Sequence, residues 1–390
     1  MDILFITGVD VNGEAGDSTH VRELISNISK FVDSATVLSP TNGEDIFKID
    51  NIKFKKARLI KIPFLMSPSF SIYAFVLGFY ILLTSKYDAI YERGSIFGTG
   101  CKLGKIFKIP CIVEVNGLIT YEQKMTGLLR IIIPKFESKT FSLANKIVVV
   151  TSKLKETLQN EYDVPENKIS VIENGANTDL FKPMNHKEAR KELNFDRDAN
   201  YICFVGNLAP WQGVEFLIQS APLILKESTH TKFLIIGDGP MKEELIDLAE
   251  RMAISDKFIF TGAVPYEEVP EYINASDVCV APFIKERNMR IGLSPLKIYE
   301  YMSCGKPVVS SRIPNLEFIE QNNAGLLVES ENPKELAKAI IKLLKDERLR
   351  RELGENGRKY VTKNHSWEAV ARRVAEVCKS VVVEHERSRR

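Results

Sequence analysis

The sequence is poor in the arrangements that build metal and disulfide sites. Its six cysteines (Cys101, Cys111, Cys203, Cys279, Cys304, Cys378) are scattered through 390 residues without a CxxC pair, and its five histidines do not cluster. Neither a zinc site nor a disulfide scaffold is expected, and the thiols read as reduced. An excess of one charge is missing too: 53 basic residues against 51 acidic ones leave +2. A dedicated nucleic-acid binder would concentrate positive charge, so nucleic acid is not expected as a partner. No G-x-G-x-x-G follows the first apolar run, where the chain reads GVDVNGEAG, which argues against a dinucleotide-dependent dehydrogenase. The opening MDILFITGVD has no basic n-region. It reads as a first β-strand rather than a signal peptide, and a cytoplasmic location is expected.

What is present is a folding chain of about two domains. At 390 residues it exceeds what one core supports, and 44% hydrophobic against 27% charged residues excludes disordered and collagen-like chains. Short apolar runs recur, among them Ile3–Thr7, Ala89–Glu92, Cys111–Val115, Tyr201–Gly206, Lys232–Gly237 and Val278–Pro282, each followed by a helix-period segment. Continuous β-branched runs alternating with helices mark parallel sheets buried on both faces, so the class is α/β. The polar stretch 181–194 separates one series from the next. We therefore expect an N-terminal Rossmann-like domain over 1–188 and a second over 189–365, with a helix over 366–386 packing back on the first.

From 62 to 85 there is no charged residue, whereas Lys53, Lys55, Lys56, Arg58 and Lys61 precede that stretch. Pro63, Pro68 and Gly78 interrupt it, and the unbroken part falls short of the roughly 20 residues a membrane span requires. It reads as a buried helix covering a sheet, with the basic run a solvated edge. The functional alternative is peripheral docking on the anionic inner face of a membrane.

The segment 290–311, RIGLSPLKIYEYMSCGKPVVSS, is the most informative. Ser294 is a favoured N-cap type and Pro295 a favoured first helical residue, which predicts a helix from here to Gly305. Its first turn offers the free amides of Leu296 and Lys297, suited to an anion. Lys297 there opposes the helix dipole unless a phosphate is bound. Glu300, three residues on, shares that face and can accept two hydroxyl hydrogen bonds, as from a ribose. A Lys/Glu pair at this spacing is ordinarily a surface ion pair. The cap, the preceding Gly292 and the tight Gly305–Pro307 exit together point instead to a ligand site. The run IIGDGP, with Gly237 and Gly239, ends a strand where backbone can approach closely.

The motifs GEAGDSTHVRELI, IPCIVEVNG, KISVIENGANTDLFKP, YICFVGNLAPWQGVEFLI, FLIIGDGPMKEELIDLAE, FTGAVPYEEVPEYINASDVCVAPF and SPLKIYEYMSCGKPVVSS follow in that order. In them the chain resembles the retaining, nucleotide-sugar-dependent glycosyltransferases of family 4, or group 1. The resemblance covers nearly all of 1–365. It implies the GT-B architecture, two Rossmann-like domains with parallel sheets facing across a cleft, and transfer of a sugar from a nucleotide diphosphate donor to a hydroxyl of a glycan or lipid-linked acceptor in glycan or polysaccharide synthesis. Glu300 would hold the donor ribose, and the amides around Ser294, Pro295, Leu296 and Lys297 would face the diphosphate. The Gly262–Pro265 loop, with Val264, would frame a base, uridine ahead of guanosine, and the strand-end glycines Gly206, Gly237 and Gly239 would border the donor. The loop carrying Gly13 and Gly16 would close over it. No metal and no cofactor beyond the donor are implied. Catalytic candidates are Lys297, Arg290, Asn116 and His20, the last being otherwise an ordinary surface residue of its helix.

Three departures qualify the resemblance. The Arg and Lys that the commoner pattern places after the first strand of the second domain are Asn207 and Gln212 here. The glutamate eight residues before Glu300 is Gly292, and the histidine of the second N-domain motif is Asn116. Arg287, Arg290 and Lys297 are the residues placed to replace the missing charge. A non-catalytic nucleotide-sugar-binding subunit and a nucleotide-sugar epimerase are the competing expectations.

Overall fold

A computed structural model describes residues 1–389 except 14, 42, 44–48, 61, 63–65, 95, 123–126, 128 and 287. The chain forms two compact units, one of Met1–Glu173 with Trp367–Arg390 and the other of Asn174–Ser366. The first holds a seven-stranded sheet built from β1 (Asp2–Thr7), β2 (Ser34–Ser39), β3 (Ile52–Lys56), β4 (Ala89–Arg93), β5 (Cys111–Val115), β6 (Lys146–Val149) and β7 (Ile169–Val171). The strands are ordered β3-β2-β1-β4-β5-β6-β7, with every pair parallel. The second unit has β8 (Asn200–Val205), β9 (Thr231–Ile236), β10 (Phe258–Gly262), β11 (Val278–Ala281), β12 (Val308–Ser311) and β13 (Gly325–Val328). Their order is β10-β9-β8-β11-β12-β13, again all parallel. Both sheets are of the Rossmann type, in which the strand order reverses beside the first strand and ligands bind beyond the carboxyl ends of the strands.

The apolar runs form strands because helices cover both sheet faces, leaving β1, β4, β5, β8 and β11 almost wholly buried. The division falls after Glu173, earlier than 188. Residues 174–188 are held by the second unit: the Asn174 amide donates to Ser294 Oγ at 2.8 Å, Ser303 Oγ donates to the Phe181 carbonyl at 2.6 Å, and Phe181 is fully buried against Tyr266. The C-terminal helix Trp367–Arg389 lies in the first unit against α1 (Gly16–Ile28), burying Val370, Val374 and Val381.

Two local expectations are corrected. Ser294 does not cap the helix after it. That helix runs Leu296–Ser303 with Pro295 at the N-cap position and no side-chain cap bond, because the Ser294 hydroxyl is taken by Asn174. The helix α2 (Met66–Thr84) is not a fully buried sheet cover. Phe70, Ala74, Gly78, Ile81 and Leu82 pack inward, while Ile72, Val76, Tyr80 and Leu83 each keep about two-thirds of their surface exposed.

Candidate functional site

The second unit brings the informative residues to the carboxyl ends of β8 and β9. Gly206 follows β8 and Gly237 follows β9, and both have positive φ, 137° and 130°. A Cβ on Gly237 would lie 2.0 Å from the Gly206 carbonyl oxygen, so only glycine lets the two turns touch. A Cβ on Gly206 would lie 2.6 Å from Lys297 Nζ. The glycine therefore leaves the space that the ammonium occupies. Gly239 sits equally close to the next turn, its Cβ position 2.3 Å from Asn207 Oδ1.

Lys297 is only 8% exposed. Its ammonium donates to Gln212 Oε1 at 2.8 Å and stands 3.9 Å from the centroid of the Phe204 ring. Burial pushes it down to about 7, with the nearby Glu300 carboxylate opposing that shift. Near neutral pH the group is poised between its two protonation states. Of the two positions where the resemblance implies cations, Asn207 is exposed and Gln212 supplies the acceptor that holds Lys297. Removing a second cation from this enclosed spot avoids a like-charge repulsion that burial would magnify.

Glu300 is also buried, one helical turn from Lys297, and its Oε1 accepts from Tyr266 Oη at 3.2 Å. Tyr266 lies just beyond Val264, which packs partly buried against the core beneath. Ser294 and Pro295 lead into the helix whose first amides, Leu296 and Lys297, have no carbonyl of their own helix to bond. Gly292 takes φ 68° in the preceding turn. Arg290 is exposed on the short helix Asn288–Ile291, and Arg287 lies outside the described residues. Trp211 is exposed.

The first unit contributes a separate cavity of about 1070 Å³ at the carboxyl ends of its strands, lined among others by Gly8, Arg93, Glu114, Asn116 and Gly117. Asn116 follows β5 and forms part of this wall. His20 is neither a surface residue nor part of the lining. It is buried on α1, edge-on to Trp367, with Nε2 2.7 Å from Glu114 Oε1. Gly16 opens that helix, with Ala15 at the N-cap position and no side-chain cap bond.

Glu114 also receives Arg93 Nε at 3.1 Å and Tyr91 Oη at 2.6 Å. Burial alone would raise its carboxyl, but His20, Arg93 and Tyr91 outweigh that and hold it well below the usual carboxylate range. The unfolded chain binds more protons than the folded one once pH falls below about 4.5. Stability from Glu114 is therefore present above that value and is lost progressively below it. Glu114→Gln should cost roughly 3–5 kcal/mol at pH 7 by leaving buried partners uncompensated. In thermal unfolding from pH 7 to 3.5, its deficit against wild type should shrink below pH 4.5; a constant deficit would refute the pairing.

Tyr266, Phe204, Arg93 and Glu114 escaped the sequence reading. For the last two a signal existed. AIYER places two charges and CIVEV one in otherwise buried strands, and such charges require partners. Glu92 in the same strand accepts from the amides of Gly100 and Cys101 at the start of α3 (Thr99–Phe107). Its carboxylate lies with the thiols of Cys101 and Cys111 in one buried cluster.

Two Rossmann-like units, each with an all-parallel sheet, with a glycine-walled ammonium and a carboxylate at the strand ends of one and a charged cavity in the other, define a GT-B α/β protein. Comparison with known proteins sharpens this. The family model described as Glycosyl transferases group 1 matches residues 185–360, and that described as Glycosyltransferase Family 4 matches 15–180. The chain belongs to the group 1 glycosyltransferases of GT-B fold and is an enzyme of that family. It is 28% identical over 313 residues to the uncharacterized glycosyltransferase MJ1607 of Methanocaldococcus jannaschii, covering 77% of each chain. Among solved structures, sucrose-phosphate synthase of Thermosynechococcus elongatus superposes with a TM-score of 0.80 at 20% identity over 98% of this chain and 100% of that one. Anabaena Alr3699/HepE, solved in complex with UDP-glucose, superposes with a TM-score of 0.76 at 17% identity over 97% and 100%.

Proposed function

We propose that this glycosyltransferase moves a sugar from a uridine diphosphate donor to an acceptor hydroxyl with retention of anomeric configuration. The observation that carries the reading is the buried Lys297 ammonium against Gly206, with Glu300 one turn further along the same helix. Lys297 and the amides of Leu296 and Lys297 receive the pyrophosphate, and Glu300, steadied by Tyr266, accepts from the ribose hydroxyls. The uridine assignment draws support from HepE, which was solved with UDP-glucose.

In the transfer the bond from the sugar C1 to the phosphate oxygen breaks and a bond from C1 to the acceptor oxygen forms. The acceptor proton passes to the departing phosphate. Negative charge grows on that phosphate, and a preorganised cation in an enclosed site stabilises it more than solvent would. With Lys297 at about 7, an arriving diphosphate shifts it to the charged form, so its positive charge is complete once the donor is bound. We assign the acceptor, a glycan or lipid-linked alcohol, to the cavity beside Asn116, with Arg93 and Glu114 as its charged wall. His20 acts there as a positioning residue through Glu114.

Lys297 and the helix amides supply the positive electrostatics in this scheme, so turnover is expected to persist in excess chelator. The test is to incubate the protein with uridine- and guanosine-diphosphate sugars and candidate acceptors in chelator, following nucleoside diphosphate release and the anomeric configuration of the product. Uridine diphosphate release with a retained glycoside is the expected result. An epimerised sugar formed without acceptor, an inverted product, or a strict divalent-cation requirement would overturn it.

A further inference from the structure

The geometry points to a docking surface for an anionic lipid bilayer on the first unit, formed by α2 with its neighbours β3 and α3. This goes beyond the transfer reaction and does not depend on it. Among the described residues α2 is the one helix long and apolar enough to cross a membrane, yet one face of it is committed to the protein. Gly78 shows how closely: a Cβ there would meet Leu103 of α3 at 2.7 Å and Leu38 of β2 at 3.6 Å. The helix therefore lies on the sheet, and its other face is left over.

That outer face carries no charged residue, and the hydroxyl of its exposed Thr84 is engaged with the Tyr80 carbonyl of the helix itself. Met66, Ile72, Tyr73, Val76, Tyr80 and Leu83 are all exposed. At 100° per residue they fall within an arc of about 120°, a continuous stripe along the helix. Scattered exposed apolar residues need no explanation, but a stripe this long marks an interaction site.

Charge specifies the occupant. Lys55 pairs in register with Leu38, and Lys53 with Thr36, so both lysines project from edge strand β3 on the sheet face that Leu38 shares with α2. Both are exposed. On the other flank α3 packs along α2 through Phe79 and Phe107, and exposes Lys102, Lys105 and Ile106 on one face. An apolar stripe bordered on both sides by lysines matches the acyl boundary and anionic headgroups of a bilayer, with the helix in the interface plane. A protein partner of ordinary composition would not call for lysines on both borders. The surface also continues into the cavity, for Lys56, Arg58, Leu59 and Met66 line its rim. A membrane-anchored acceptor would thus meet the cavity at the level of the headgroups.

The test is sedimentation of the full chain with phosphatidylcholine vesicles, with and without phosphatidylglycerol, at low and high salt. Binding should be at least roughly tenfold tighter to the anionic vesicles and weaken with salt. Val76→Ser/Tyr80→Ser/Leu83→Ser replaces only exposed side chains and should abolish binding while circular dichroism stays native. Lys53→Ala/Lys55→Ala should weaken it by roughly 25-fold, about fivefold per charge. No binding, equal binding to neutral vesicles, or binding unchanged in either variant would overturn the assignment. So would a dimer, seen by analytical ultracentrifugation, that the triple variant dissolves, since a second copy would then own the surface.

Discussion

Lys297→Met should stabilise the ligand-free protein near neutral pH and at the same time remove most of its affinity for a nucleoside diphosphate. Both effects come from one cause. The ammonium is enclosed by Gly206, Phe204 and Gln212, and burial lowers it to about 7. An ordinary lysine in the unfolded chain titrates near 10.5. Between those values the unfolded chain binds more protons, so wild-type stability rises with pH across that window. Below pH 7 the full cost of enclosing the charge is carried. Methionine has similar reach and no charge, so the gain should amount to a few kcal/mol, on the order of 1.4 kcal/mol for each pH unit that separates the two values. It should be greatest at pH 6–7 and fade towards pH 10. The same substitution leaves a bound diphosphate without its cation, which costs about 2–5 kcal/mol, about 30-fold or more in affinity. Uridine without phosphates should bind almost unchanged. Thermal unfolding against pH and titration with both ligands read the two arms, and a variant destabilised at pH 6 would show that the lysine is a structural cation instead.

Glu300→Ala should weaken nucleoside and nucleoside diphosphate alike, each by about a hundredfold, and lower kcat/KM by at least as much. Hydrogen bonds to a charged group contribute about 1.5–3 kcal/mol each, and a ribose offers two hydroxyls. Tyr266→Phe removes only the hydroxyl that donates to Glu300 and should cost about tenfold or less. The contrast separates the two helix residues, since Lys297 discriminates by phosphate and Glu300 by sugar. Selective loss of the diphosphate in Glu300→Ala would place the carboxylate away from the ribose.

Much of this arrangement is legible in the residues themselves. The strand-end glycines and the Lys297–Glu300 spacing are local features, and parallel strands buried on both faces show up as unbroken apolar runs. What escapes is non-local. Ser294 has the side chain of an N-cap, but a partner 120 residues away, Asn174, claims its hydroxyl. His20 sits at an ordinary helical position and is buried only because Trp367 and Glu114 arrive from distant parts of the chain. The exposure of α2 is hidden for a different reason. With no polar face, its periodicity carries no sign of which side meets solvent. The division after Glu173 rather than at the polar stretch near 188 reflects the anchoring of Phe181 by Tyr266 and Ser303.

A buried amine awaiting a phosphate must change its protonation when that phosphate arrives, and proton uptake can be counted. Calorimetric titration of uridine diphosphate at pH 8, repeated in buffers of different ionisation enthalpy, gives the number of protons taken up per ligand bound. With Lys297 at about 7 in the empty site and fully charged in the complex, uptake should approach one proton in the wild type and vanish in Lys297→Met. Binding without proton uptake, or equal uptake by both proteins, would contradict a pyrophosphate held by this ammonium.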